Sequence, residues 1–176
     1  MEQFLQLPDE ESCRYELWQG ELVEVGETTI RHNWIREELI FALKRFLLET
    51  KLGVVFAETG VRFDSNTLSR PDVVYWDAQH FAAIDWDASP VQVIPQLLAE
   101  VVSPSNSPRT LFRNAAYYLR AGVQVVWVVN RDPFEIHVIT AGQANRVLRP
   151  GDLLEAITVL PGFSEEVSAF APPVHR

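Results

Sequence analysis

Two apolar segments that each carry a carboxylate constrain the fold of this chain most strongly. Residues 70–76 read RPDVVYW and contain Asp72, and residues 97–102 read LLAEVV and contain Glu100. Their β-branched and aromatic residues favour buried strands. An unpaired carboxylate is costly to bury, so each acid needs a cation, an ion-pair partner or a raised pKa. The sequence therefore predicts a sheet that brings two acids close to its interior.

A helix and a third apolar segment follow the Glu100 segment. Ser107 fits a helix N-cap with Pro108 as the first helical residue. The helix is expected to run to about Ala121, with Gly122 as its C-terminal cap. Residues 123–129 (VQVVWVV) then form a strand. This order predicts a right-handed βαβ unit with parallel strands.

The remaining segments predict a mixed sheet flanked by helices. Apolar residues from Ile35 to Leu47 recur at helical spacing, which indicates a helix from Ile30 to Thr50 that Gly53 ends. The other expected elements are a hairpin of residues 14–18 and 21–25 around Gly20, strands 54–58 and 61–63, a turn at 64–67, a long loop at 77–95, and strands near 134–139 and 146–148. We expect one α/β domain (an α+β mixed sheet) over residues 1–176, with an added N-terminal β-hairpin and extra C-terminal strands.

Composition limits the classes of protein to which this chain can belong. The net charge of −9 argues against a broad basic surface for nucleic acid, so any DNA contact must be local. The single cysteine, Cys13, excludes an internal disulfide and a cysteine zinc cluster. No apolar run reaches the length of a membrane span, and residues 1–5 (MEQFL) lack the features of a secretory signal. The expectation is a soluble cytoplasmic protein with no membrane association.

The two acids suggest a magnesium site. Mg²⁺ is usually held by one or two carboxylates together with waters and substrate phosphate oxygens, and Asp72 and Glu100 could supply those carboxylates from adjacent strands. Two other interpretations stay open. Asp72 could be a turn acceptor after Pro71, and Glu100 could form a structural ion pair with an arginine.

The sequence resembles the Uma family of restriction-endonuclease-like proteins, which belong to the PD-(D/E)xK nuclease superfamily. The similarity covers nearly the whole chain. The motifs that carry it are Tyr15-Glu16-Leu17 with Gly20-Glu21-Leu22-Val23, His32, Arg70-Pro71-Asp72-Val73-Val74, Glu100-Val101-Val102-Ser103-Pro104-Ser105, Tyr118 with Ala121-Gly122-Val123, Val126-Trp127-Val128-Val129, and Leu160-Pro161-Gly162-Phe163. Each motif is weak alone, but their joint order and spacing are specific. The resemblance implies a restriction-endonuclease-like core.

The resemblance also implies roles for individual residues. Asp72 and Glu100 would bind the metal, with the backbone carbonyl of Val101 as a third ligand. Relatives carry a catalytic lysine on the following helix, at the position that is Asn114 here. Asn114 lies one helical turn before Tyr118, which predicts that it faces the sheet and the acids. Asparagine can position a water or phosphate oxygen but has no charge. Arg113, about 100° further around the helix, is the candidate substitute cation.

Further residues are candidates for the site or for the core. His32 matches a histidine of the relatives and would contact the substrate or support a metal ligand, or it could be a helix residue satisfied by backbone. Glu16 and Glu58 lie in strand-like segments, and the sequence does not show which way they face. Trp18, Tyr117 and Tyr118 are interpreted as core or interface aromatics.

These observations support competing functions. The first is a DNA endonuclease that depends on Mg²⁺ or Mn²⁺ and hydrolyses phosphodiester bonds. The second is a catalytically impaired relative that acts as a nucleic-acid or protein binding module, favoured by the missing lysine and the acidic charge. A third is an assembly protein with an exposed apolar surface. A homodimer is compatible with all three.

Overall fold

The structure, a computed structural model, describes residues 15–104 and 106–173. Cys13, Arg14 and Ser105, which carry parts of the sequence interpretation, lie outside the described residues. The strands are β1 (Tyr15–Trp18), β2 (Glu21–Glu24), β3 (Gly53–Ala57), β4 (Val61–Arg62), β5 (Leu68–Ser69), β6 (Val73–Asp77), β7 (Leu97–Val101), β8 (Val125–Arg131), β9 (Phe134–Thr140), β10 (Arg146–Leu148), β11 (Leu153–Ala156) and β12 (Leu160–Glu166). The helices are α1 (Ile30–Thr50), α2 (Ala78–Phe81), α3 (Pro108–Arg120) and the 3₁₀ helix η1 (Val167–Phe170).

A six-stranded mixed sheet forms the centre of the fold. Its order is β10-β9-β8-β7-β6-β3. β7 and β8 run parallel and are connected through α3, as the sequence predicts, while the other neighbours in this sheet are antiparallel. Strands β11 and β12 form a separate antiparallel pair. The mixed sheet and the additional C-terminal strands therefore agree with the expected α+β architecture.

The first helix has the predicted bounds but a different C-terminal cap. Thr29 caps its start, since the Thr29 side chain accepts a hydrogen bond from the His32 amide. The expectation that Gly53 ends the helix is wrong, because the left-handed cap residue is Lys51, with a φ of 57° and an amide that donates to the Leu47 carbonyl. Gly53 instead allows close approach to β6: a Cβ there would lie 2.1 Å from the Trp76 carbonyl oxygen.

Helix α3 begins at the predicted residue and ends at Arg120, one residue before the expected end, with Ala121 instead of Gly122 as its C-terminal cap residue. The Ser107 side chain accepts a hydrogen bond from the Thr110 amide at 3.1 Å, and Pro108 follows as the first helical residue. Gly122, which follows the helix, has a φ of 111°. Glycine adopts such positive φ values without strain, which is why it is common just beyond the end of a helix. The buried face of the helix consists of Leu111, Asn114, Ala115 and Tyr118.

The central sheet has a hydrophobic layer on each face. Because side chains alternate along a strand, Val73 and Tyr75 of β6 pack towards α1, whereas Val74 and Trp76 pack towards α3. The α1 layer also receives Phe163 of β12. Both helices are thus fixed against the sheet by burial of apolar surface.

The N-terminal hairpin joins a second, smaller sheet. β1 and β2 pair around Gln19 and Gly20, which both have positive φ, and β1 also pairs with β5 to give the order β2-β1-β5-β4. The predicted loop at 77–95 contains the one-turn helix α2, which the sequence interpretation left out. In the parts of the chain described, we find no helix with the length and hydropathy required to cross a membrane.

Candidate active site

The register of β6 and β7 brings the two predicted acids together. Val74 is paired with Leu98 and Val73 with Ala99 in this antiparallel ladder. Extending the register by one residue places Asp72 directly across from Glu100. Side chains at such positions have Cβ atoms about 4.5–5.5 Å apart. The two carboxylates are therefore cross-strand neighbours at one end of the central sheet.

Asp72 is held in place by two hydrogen bonds to one of its oxygens. This residue is 8% exposed. Its Oδ2 accepts from the Val101 amide at 2.7 Å and lies 3.1 Å from His32 Nε2. Because a carboxylate can only accept, Nε2 carries the proton in this contact. His32 lies in the first turn of α1, so Asp72 connects β7 to that helix.

Glu100 is positioned by tyrosine and surrounded by other acids. The Tyr118 hydroxyl donates to Glu100 Oε1 at 2.8 Å and lies 2.9 Å from Ser69 Oγ. Burial, followed by the negative charges of Asp72 and Glu16, raises the pKa of Glu100 well above its usual range, although hydrogen bonds partly oppose this. A cation among these carboxylates would favour the ionised form of Glu100.

A third acid, Glu16 of β1, belongs to the same cluster. Its Oε1 accepts from the Arg70 amide at 2.6 Å, and its Oε2 accepts from Trp18 Nε1 at 2.7 Å. Burial raises the pKa of Glu16, and both hydrogen bonds oppose the increase. The sequence left the direction of Glu16 open, and the structure turns it towards Asp72 and Glu100.

One pocket of about 350 Å³ collects the predicted residues. Asn114 is 8% exposed and lies on the sheet-facing side of α3, where its spacing predicts it. Thr110, one helical turn before Asn114, also borders the pocket. The predicted site residues that line the pocket are His32, Asp72, Glu100, Val101, Arg113 and Asn114.

Sequence reasoning missed one contact and left another open. Tyr118 was interpreted as a core or interface aromatic, and it is indeed fully buried, but its hydroxyl also binds Glu100. Its position four residues after Asn114 was the available signal, since such residues share a helix face. Glu58, whose direction the sequence left open, borders the pocket and forms an ion pair with Arg36 at 2.6 Å.

The donor set suits a hard divalent cation that needs few protein ligands. Among residues 15–104 and 106–173, no group of three or more His, Cys, Asp or Glu side chains is arranged to hold a metal ion. Within the same ranges, Glu100 forms no ion pair with an arginine, which was its alternative interpretation. Two adjacent carboxylates and the Val101 main chain correspond to the small oxygen set that Mg²⁺ accepts.

Comparison with known proteins identifies the family. The profile of the Uma2 family, described as "Putative restriction endonuclease", matches residues 1–170. The chain belongs to the Uma2 family. The crystal structure of "a putative nuclease belonging to DUF820" from Anabaena variabilis ATCC 29413 aligns with a TM-score of 0.82 at 18% sequence identity, covering 96% of this chain and 95% of that chain. A search of curated proteins finds no match.

These findings confirm the family and the fold expected from the sequence. The Uma2 match extends from the N-terminal hairpin through β12 and η1, so it includes the strands that carry Asp72 and Glu100. At 18% identity, the structural likeness shows a shared fold. Membership of a restriction-endonuclease family supports a nuclease as the broad functional class.

Proposed function

We propose that this Uma2-family protein is a divalent-metal-dependent DNA endonuclease that hydrolyses phosphodiester bonds. One observation carries the proposal: Asp72 and Glu100 are cross-strand neighbours in a pocket, and burial together with neighbouring acids raises the pKa of Glu100. A protein gains no stability from like charges placed opposite each other. Perturbed acids in a concave site are typical of a functional centre.

In this proposal Asp72 and Glu100 bind Mg²⁺ or Mn²⁺, and the Val101 carbonyl is a third ligand. The hydrogen bonds from the Val101 amide and His32 fix the orientation of Asp72, while Tyr118 fixes Glu100. Such supporting contacts tune metal ligands. When bound, the cation polarises the phosphate and assists ionisation of water.

Two residues of α3 act on the substrate side of the proposed site. Asn114, buried beside the acids, hydrogen-bonds a water or a phosphate oxygen through its amide. Arg113 borders the same pocket and supplies the positive charge that the lysine supplies in relatives. A guanidinium group binds phosphate through several donors but does not act as a base.

Cleavage of supercoiled and linear DNA with Mg²⁺ or Mn²⁺ tests the proposal. Asp72→Asn and Glu100→Gln keep the size of each side chain and remove its charge, and each should reduce the rate by about 1,000-fold, because several kcal/mol of charge stabilisation are lost. Glu155→Gln, on β11, is the matched control and should cleave like the wild type. Wild-type cleavage that persists in Asp72→Asn would contradict the assigned site.

Asn114 favours a second candidate function, a binding module with impaired catalysis. It replaces the lysine with a side chain that cannot carry charge or act as a base near neutral pH. In this case the pocket would bind metal and nucleic acid with little hydrolysis. The same assay distinguishes the two functions, because a binding module retains DNA without cutting it.

Replacing Asn114 with lysine measures how much cleavage activity the missing lysine costs. Asn114→Lys should increase metal-dependent cleavage, since the pocket and the two acids are otherwise present. Thr110→Lys adds the same charge one turn earlier on α3, at the border of the same pocket, and should not increase cleavage. If Asn114→Lys binds Mn²⁺ normally and still gives no increase, the predicted role of this position is wrong.

A further inference from the structure

A second groove, of about 600 Å³, adjoins the acidic pocket. Ser103 and Asn106 border both cavities, which makes them neighbours on the surface. The groove is also lined by Arg31 from α1 and Arg131 from the end of β8. Asp132 is the acid on its border. The groove thus combines two arginines and one carboxylate beside a pocket rich in acids.

The arginines of the groove keep donors available. Arg131 donates from Nη1 to Thr29 Oγ1 at 3.3 Å, and its buried Nε has no hydrogen-bond partner. Arg31 is exposed, and no ion pair involves it among the residues that the structure describes. By contrast, Arg36 and Arg45 are paired with glutamates. Available guanidinium groups are well suited to phosphate oxygens.

Both long helices direct their N-terminal ends to this region. Thr29, the cap of α1, and Pro108, the first residue of α3, line the groove. Neither helix has an acidic residue in its first turn. The partial positive charge of a helix N-terminus favours anions and adds to the charge of the arginines.

We propose that this groove binds the phosphodiester backbone of the nucleic acid whose next phosphates enter the acidic pocket. The inference rests on the proposed function, since it identifies how the strand is held. A chain with a net charge of −9 repels phosphates over most of its surface. The cationic groove, together with Arg113 on the pocket side, therefore determines where the backbone can lie.

Fluorescence anisotropy of a labelled DNA duplex tests the groove without requiring cleavage. The Arg31→Gln/Arg131→Gln double variant should bind at least about tenfold more weakly. The slope of log K against the logarithm of the salt concentration should decrease in magnitude by about two, one for each lost phosphate contact. Arg146→Gln, an exposed arginine of β10, is the matched control and should bind like the wild type. Arg131→Lys retains the charge and should preserve the salt slope, which separates charge from local folding.

The outcomes distinguish failure of the groove from failure of the nuclease function. If wild type cleaves DNA and the double variant keeps the same KM and salt slope, the groove proposal is overturned and the nuclease proposal stands. If wild type cleaves nothing but its DNA binding depends on Arg31 and Arg131, the groove stands and the binding-module function is favoured. A wild type that fails to bind the duplex at low salt overturns the groove proposal.

An independent observation concerns the outer face of α1. Four large apolar residues on this helix are exposed although its opposite face is buried against the sheet. They lie at i, i+4, i+11 and i+18, which places them within about 40° of each other around the helix. These residues and their exposed fractions are Ile30 (87%), Trp34 (41%), Phe41 (61%) and Leu48 (68%).

From this stripe we infer that two copies of the chain pair through α1 in antiparallel orientation about Phe41. Glu37 and Arg45 lie four residues before and after Phe41 and carry opposite charges. Within one chain Glu37 contacts Arg36 and Arg45 contacts Glu165, but the side chains of Glu37 and Arg45 remain 64% and 55% exposed, so pairing in the dimer exchanges these surface contacts for contacts between the two copies. Trp34 and Leu48 lie seven residues on either side of it. Antiparallel pairing therefore sets tryptophan on leucine and glutamate on arginine at both ends, as two-fold symmetry requires.

Sedimentation of the full chain over a range of concentrations tests this pairing. The wild type should approach twice the 20.0 kDa chain mass, and Phe41→Asp should be monomeric. Trp86→Asp, an exposed aromatic outside α1, is the control and should remain dimeric. Glu37→Arg should weaken the dimer, and adding Arg45→Glu should restore it. A monomeric wild type, or a dimer that Phe41→Asp leaves intact, overturns the inference.

Discussion

The two faces of the central sheet bury side chains of different character. On the α1 face, the layer around Leu39 is almost entirely apolar and extends to β12. On the α3 face, Leu98 and Leu111 pack beside Glu100, Asn114 and the hydroxyl of Tyr118. The same strands contribute to both faces, because their side chains alternate. One face therefore stabilises the fold, while the other combines packing with the polar groups of the proposed site.

Truncation on the α1 face should produce the largest effect on stability. Leu39 is fully buried, so Leu39→Ala should lower the free energy of unfolding by about 2–5 kcal/mol through lost burial and a cavity. Urea denaturation followed by tryptophan fluorescence measures this loss. Leu153→Ala, at a position that is 53% exposed, is the matched control and should change stability by less than about 0.5 kcal/mol. Equal losses would contradict the assignment of the α1 layer as the stabilising core.

Removing one hydroxyl on the α3 face should affect metal binding more than folding. Tyr118→Phe loses the donor to Glu100 Oε1, and affinity for Mn²⁺ should fall by about 10–100-fold. Isothermal titration calorimetry measures the affinity, and thermal unfolding without metal measures the structural cost. Tyr117→Phe, whose hydroxyl binds Asp64 instead, is the matched control. Unchanged affinity in Tyr118→Phe would remove Tyr118 from the proposed site.

Neutralising Glu100 should stabilise the metal-free protein at high pH. The raised pKa means that the folded state holds this proton more tightly than the unfolded state, so stability falls as pH rises from the usual glutamate pKa through the raised value. Glu100→Gln removes this penalty and should gain about 1 kcal/mol at pH 8, the size of an opposed like-charge pair. The gain should disappear near pH 3, well below the usual glutamate pKa, where the wild-type carboxyl is protonated in both states. A gain independent of pH would point to packing instead of charge.

The smallest expected effect lies outside the pocket, at the Tyr117 and Asp64 pair. Burial raises the pKa of Asp64, but the hydrogen bonds from the Tyr117 hydroxyl at 2.5 Å and from backbone amides together lower it overall. A lowered pKa gives stability above the usual aspartate pKa that is lost as pH falls through the lowered value. Tyr117→Phe should cost about 0.5 kcal/mol or less at pH 7, because solvent screens this exposed pair, and nothing near pH 2. Thermal unfolding at both values checks this, and a loss at pH 2 equal to that at pH 7 would contradict it.

Local signals in the sequence predicted most of the central fold. The apolar spacing gave α1 its bounds, and Ser107 with Pro108 located the start of α3. These signals act over a few residues, which is why they can be interpreted without the structure. β5, by contrast, is only two residues long and pairs with β1 and β4, so no periodicity could predict it.

The predicted site depended on residue type, and its missing parts depended on long-range geometry. Asp72, Glu100 and Asn114 were selected from their segments and the family resemblance, and all three border one pocket. The direction of Glu16 could not be predicted, because it is fixed by a contact with the Arg70 amide, 54 residues away. The Tyr118 contact with Glu100 likewise requires the packing of α3 against β7.

The antiparallel ladder of β6 and β7 separates the two acids from the segment that connects their strands. Asp72 precedes β6 and Glu100 lies near the end of β7, so residues 78–96 join the strands at their opposite end. The cost of closing a longer loop grows slowly with its length. Residues 85–89, with the exposed Trp86, therefore offer an attachment point for a reporter domain or an affinity label. Such an insertion would not change the distance between the two carboxylates, because the pairing of β6 with β7 fixes it. A domain could therefore be added to this segment without altering the proposed site.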